Sequence, residues 1–167
     1  MNDSTRLDEA KKVHLRSVRE ADSQTLFSWK NLPDVRKWSR NSQELDFVAH
    51  EDWFKKRIYS VAESGPLFIV EVSGLPVGMV RLDLISERTY EISIIVDPDH
   101  QRKGIAGSAI NLAICELLQI ENTFTLNAAI HMKNISSLKF FLKLGFQEID
   151  ADSDFLQLRR TFLSEDF

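Results

Sequence analysis

Eight residues, Gln101-Arg102-Lys103-Gly104-Ile105-Ala106-Gly107-Ser108, join two segments of different periodicity and constrain this chain more than any other stretch. Before them, Glu91-Ile92-Ser93-Ile94-Ile95-Val96 is an apolar, β-branched run that predicts a buried strand. Asp97-Pro98-Asp99-His100 then ends the strand, because proline fixes φ and aspartate accepts from nearby backbone N–H groups in a turn. After them, Ile105, Ala106, Ala109, Ile110, Leu112, Ala113, Leu117 and Leu118 recur at helical spacing and predict a helix over 105–118. A helix start leaves backbone N–H groups unpartnered and carries about half a positive charge, so it favours an anion. Gly104 and Gly107 allow the close backbone approach that a Cβ prevents, and Arg102 and Lys103 add two cations. An ordinary strand-to-helix connection with two solvated basic residues fits the same spacing. The Walker pattern and the dinucleotide pattern G-x-G-x-x-G are both absent from this stretch.

The run Gln101-Arg102-Lys103-Gly104-Ile105-Ala106 resembles the acetyl-CoA loop, Gln/Arg-x-x-Gly-x-Gly/Ala, of the GNAT superfamily of N-acetyltransferases. A second motif of that family, Asn-x-x-Ser/Ala followed by Gly-Phe, is matched by Asn134, Ser137, Gly145 and Phe146. The resemblance spans roughly residues 13–162 and implies acetyl-CoA as the acyl donor. It further implies that residues 101–108 hold the pyrophosphate and that Ile95 and Val96 offer backbone groups to pantetheine in a gap between splayed strands. Asn134 stands where the family contacts the pantetheine arm, although an asparagine before a helix is also a good N-cap. Phe141 stands where many relatives carry a tyrosine that protonates the leaving thiolate, so that proton source is missing here.

At 167 residues the chain has the length of one domain, expected over 13–167 after a flexible tail at 1–12. A formal net charge of −4 offers no broad basic surface for nucleic acid or an acidic membrane, so a polyanionic donor must be met locally. A single cysteine, Cys115, rules out an internal disulfide, and it is expected to pack within its helix. With no long apolar run and no signal-peptide pattern, a cytoplasmic protein is expected, and a monomer or homodimer is expected separately. Asp97, Asp99 and His100 read as turn chemistry, and no metal is expected.

The remaining pattern predicts strands at 13–18, 67–72, 77–85, 124–130, 146–149 and 156–162, with helices at 20–30, 35–40, 50–62 and 135–144. Ser73-Gly74-Leu75-Pro76 reads as the turn of a hairpin. The fold class is α+β, a mixed and mostly antiparallel sheet with helices on both faces, as the resemblance also implies.

The reaction implied is direct attack of a neutral amine on a thioester. Glu91, at the head of the central strand, is the candidate general base, with a solvent-facing strand-end carboxylate as the other reading. His131 is the titratable group expected near the cleft mouth, either as a proton source or as a solvated loop residue. The pattern running from Leu15-Arg16 through Trp29-x-Asn31-x-Pro33 to His50-x-x-Trp53-Phe54 resembles the GNAT branch that acetylates nucleotide-linked 4-amino sugars. More loosely it resembles ribosomal-protein N-terminal acetyltransferases. That resemblance implies an acceptor pocket bordered by Trp29, Arg36, Asn41, His50 and Trp53, with Arg36 on a diphosphate. Protein N-termini and polyamines are the alternative acceptors, and an idle acyl-CoA-binding module is the alternative to an enzyme.

Overall fold

The structure, a computed structural model, describes residues 12–166. Apart from Lys12, the expected tail lies outside the described residues. β1 (Val13–Ser17) leads through a short 3-10 turn into α1 (Ser23–Lys30), followed by α2 (Pro33–Arg36), α3 (Phe47–Tyr59) and α4 (Val61–Ser64). A meander of β2 (Leu67–Val72), β3 (Leu75–Ser86) and β4 (Thr89–Val96) comes next. The chain continues through α5 (Ile105–Leu118), β5 (Thr123–His131), α6 (Ile135–Lys143), β6 (Gln147–Asp152) and β7 (Phe155–Leu163). These strands form one seven-stranded sheet in the order β1-β2-β3-β4-β5-β7-β6, and only the β4–β5 pair is parallel. This is the α+β fold that the periodicities predict.

Alternation along the strands divides the core into two clusters, one on each face. Val80, Leu82, Ile92, Leu126 and Leu158 meet Ile105, Ala109, Ile110, Ala113, Ile114 and Leu117 of α5 and Phe141 of α6. On the other face Leu26 and Trp29 of α1 and Phe54 of α3 close over Leu67, Ile69 and Met79. Helical phase decides a correction at Cys115. The inward positions of α5 are 105, 109, 110, 113, 114 and 117, so Cys115 falls outside them and is exposed, as is Leu112.

Other boundaries move for local reasons. The α3 helix begins at Phe47 because Asp46 caps it, its Oδ2 accepting from Ala49 N–H at 2.9 Å. It stops at Tyr59, where Ser60 leaves the helical region (φ −126°, ψ 46°). The helix expected at 35–40 starts at Pro33, a residue suited to the first helical position, and ends by Arg36. Ser73 and Gly74 both adopt positive φ (53° and 79°), so they alone make the hairpin turn and Leu75-Pro76 join β3.

What matters for the site is the way β4 and β5 part. Their parallel ladder covers Thr89↔Thr125, Tyr90↔Leu126 and Glu91↔Asn127 and then stops. Beyond it β4 stays paired to β3 as far as Gly78↔Val96, while β5 stays paired to β7 as far as His131↔Phe155. Each strand holds its outer partner, so the gap opens between them. Gly78 sets how closely β3 supports the open half of β4, since a Cβ there would lie 2.3 Å from the Ile95 carbonyl oxygen. We expect Gly78→Ala to cost about 1–3 kcal/mol or more in urea unfolding through this backbone clash. Gly74→Ala, whose Cβ meets nothing, should cost only the strain of its positive φ, about 1 kcal/mol.

Candidate active site

The open end of the gap meets the loop 101–108. Gln101 donates from Nε2 to the Val96 carbonyl at 3.0 Å, tying the loop to the last residue of β4. Arg102 (φ 62°) and Gly104 (φ 80°) take left-handed conformations, and Gly104 is the N-cap of α5. Having no side chain, that cap leaves the first-turn N–H groups for another acceptor. A Cβ added at Gly107 would meet nothing in the chain within 4 Å, so the first turn has an open face beside it. Arg102 is exposed, while Lys103, Ala106 and Ser108 are half-buried around the turn. Ile105 is anchored in the core and fixes the helix start beneath them. An uncapped, open, cation-flanked helix N-terminus fits a pyrophosphate.

Along the gap, Ile95 packs toward α1 and α3 and Val96 toward α5, so each offers only its backbone to the cleft. Asn134 caps α6, its Oδ1 accepting from Ser137 N–H at 3.2 Å, which leaves its amide N–H2 to donate elsewhere. The Phe141 side chain is 2% exposed and packs against Phe140 and Phe146 at centroid distances of 5.3 and 5.1 Å. Its ring serves the core.

The face of the sheet under α1 and α3 carries the titratable groups. Glu91, half-buried, is the last paired residue before the gap and lies opposite Asp83 of β3. Asp83 accepts from Arg57 Nη1 at 2.7 Å and has Arg81 Nε 3.0 Å away, close enough to pair although misaligned for a hydrogen bond. Arg81 also donates to Ser93 Oγ at 3.3 Å and lies 5.7 Å from the centroid of the Trp53 ring. On that ring stands Lys30, its Nζ 3.2 Å from the centroid. Burial, then the fields of Arg81 and Arg57 against that of Asp83, lower the Lys30 ammonium to about 7.

The far end of the gap is bounded by aromatic rings. His131 lies 5.4 Å from Trp38 and 5.2 Å from Phe155 between ring centroids. Its Nδ1 accepts from Lys133 N–H at 3.1 Å. Arg40 sits 4.9 Å above Phe155 and pairs with Asp152 at 3.3 Å, joining the loop after α2 to the β6–β7 hairpin.

Residues 12–147 match the family model described as an acetyltransferase (GNAT) domain. The chain belongs to the GNAT acetyltransferase family. It is an N-acetyltransferase, and acetyl-CoA is its co-substrate. It is 30% identical over 145 residues to spermidine N(1)-acetyltransferase of Escherichia coli, covering 86% of this chain and 73% of that one. Identity to the Vibrio cholerae spermidine N(1)-acetyltransferase is 26% over 137 residues, covering 80% and 78%. A solved structure of the Vibrio cholerae spermidine N-acetyltransferase with CoA and spermine superposes with a TM-score of 0.79 at 22% identity, covering 93% and 97%. That likeness shows the shared fold.

In this acetyltransferase the residues expected at the acceptor separate. Trp53 is half-buried, with Lys30 and Arg81 against its ring, whereas Trp29 is part of the core beside it. His50 is 3% exposed, holds the Ser23 carbonyl at 3.0 Å through Nε2, and lies among Phe27, Phe47 and Phe54, so it packs α3 onto α1. Arg36 donates from Nε to the Asn31 carbonyl at 3.1 Å, and Asn41 is exposed with Oδ1 accepting from Gln43 N–H. Lys30, Arg81 and Phe155 were not expected at the site, since nothing in their local sequence distinguishes them from surface or core residues. Gly104→Val forces a β-branched residue into φ 80° at the helix start. We expect it to weaken acetyl-CoA binding at least tenfold by calorimetry while the fold persists.

Proposed function

We propose that this enzyme acetylates a primary amine of a polyamine of the spermidine type. One feature of the site carries the reading. The β6–β7 hairpin presents the exposed carboxylates of Asp150 and Asp154 near the aromatic mouth of Trp38, His131 and Phe155, while Asp152 is paired with Arg40 and Glu148 lies opposite the core residue Leu158. Carboxylates and ring faces attract the distal ammonium groups of a polycation while one amine enters the gap. The names of the Escherichia coli and Vibrio cholerae relatives support the same acceptor. A primary amine near pKa 10 is neutral to about one part in a thousand at pH 7, so a proton acceptor matters. Glu91, where the gap begins, is the carboxylate assigned to that step. Glu91→Gln should lower kcat/KM about a hundredfold with acetyl-CoA affinity nearly level.

A second reading, the nucleotide-linked amino sugar, is favoured by one observation. Asp83 is already held by Arg57 and Arg81, and Lys30 stands on Trp53, so that wall is cationic. A coenzyme A release assay over spermidine, spermine, sugar nucleotides and peptides separates the readings. We expect spermidine to lead, and a D150N/D154N double variant to raise its KM about tenfold with kcat nearly unchanged, the difference shrinking as salt rises. Turnover of a sugar nucleotide above spermidine, with KM raised by Arg36→Ala, selects the second reading.

A further inference from the structure

We propose that Lys30 is an internal acetyl acceptor: when no substrate amine occupies the cleft, its Nζ takes the acetyl group from the bound thioester. Its position supports this. Lys30 is the last residue of α1, and its Nζ rests on Trp53, which packs in the same cluster as Ile95 of the open half of β4. The neighbouring Arg81 bonds Ser93, also on that half. The amine therefore stands on the acceptor side of the gap in which the donor's arm is expected. It is half-buried and forms none of the ion pairs found among the described residues. The groups that face it are Arg57 and His50 from α3, Arg81 and Asp83 from β3, and Glu91 on the same face of β4, while α1 itself carries no other charge.

The chemistry balances without another reactant. The neutral nitrogen attacks the carbonyl carbon, a C–N bond forms, the C–S bond breaks with its electron pair leaving on sulfur, and the proton released by nitrogen passes to the thiolate or to solvent. The products are an Nε-acetyl-lysine and coenzyme A. With its ammonium lowered to about 7, about half of Lys30 is neutral at neutral pH, a share about a thousandfold larger than for an ordinary lysine. Acetylation is a dead end for the group transferred. It replaces a cation on Trp53 by a neutral amide, and so changes the wall that an acceptor meets.

The test needs no knowledge of the natural acceptor. The full chain is incubated with acetyl-CoA alone, and its intact mass and peptide map are followed. We expect a gain of one acetyl group on Lys30, at least about a hundredfold faster than on exposed lysines. The rate should rise up to about pH 7 and level above it, following the neutral amine. Excess coenzyme A should suppress the gain, and Lys30→Arg should abolish it while acetyl-CoA affinity stays level. A sample that binds acetyl-CoA by calorimetry yet leaves Lys30 unmodified overturns the proposal. So does labelling of Lys30 that excess coenzyme A fails to suppress, because it then comes from free acetyl-CoA. Neither result bears on the polyamine assignment, which the amine panel decides separately.

Discussion

The arrangement of the site follows from β4 keeping one partner and losing the other. Hydrogen bonding to β3 runs to Val96, while the parallel ladder to β5 ends at Glu91↔Asn127. An unpaired strand edge inside a sheet is costly unless another group takes its N–H and C=O groups. The molecule limits that cost at one end, where Gln101 caps the Val96 carbonyl. The rest of the edge is suited to an extended ligand with amide groups of its own. Helix α5 begins just beyond the end of that edge, so the stretches proposed for pantetheine and for pyrophosphate follow one another along the chain. The Cβ-free Gly78 lets β3 approach the Ile95 carbonyl in the half of β4 that has no β5 partner.

Electrostatics then divides the acceptor side into two regions. Asp83 is neutralised by Arg57 and Arg81, and Arg57 further donates to the carbonyls of Ser64, Pro66 and Leu82. With two arginines fixed by one carboxylate, the surplus positive field falls on Trp53 and Lys30. A cationic environment disfavours a second cation, so an amine arriving beside it loses its proton more readily than in water. The chemistry demands that state at the gap. For the proposed polyamine acceptor, the carboxylates of Asp150 and Asp154 sit farther out, on the β6–β7 hairpin, where a distal ammonium would remain charged.

How much of this was legible in the sequence depends on how local each interaction is. The loop 101–108, the helix after it and the strand before it rest on near-neighbour physics, and each is found where periodicity and turn chemistry put it. Asn134 showed both its possible uses in sequence, and the cap is the one visible in the structure. The acceptor face was less legible because its contacts cross long stretches of chain. Lys30 follows Trp29 and precedes Asn31 with no local sign that Trp53 and Arg81 will surround it. His50 and Trp53 lie one turn apart on α3, and a small difference of phase buries His50 against α1 and leaves Trp53 half-buried beside Lys30. Helical spacing alone does not resolve that difference. The break at Ser60 was likewise hidden, since nothing in Tyr59-Ser60-Val61 forbids a helix.

Phe141 and His131 bear on how the thiolate leaves. A buried ring at Phe141, enclosed by Phe140 and Phe146, has no proton to offer, and a hydroxyl there would need its own route out of the core. His131 is placed differently, at the end of the stretch of β5 that is paired to β7 but not to β4. Because its Nδ1 accepts the Lys133 N–H, the neutral ring carries its proton on Nε2, so the backbone selects the tautomer. Trp38 and Phe155 hold the ring from two sides, which fixes its plane and limits the directions in which Nε2–H can donate. In the proposed reaction, a ring oriented in this way is the candidate hydrogen-bond donor to the leaving thiolate in place of the tyrosine absent at 141.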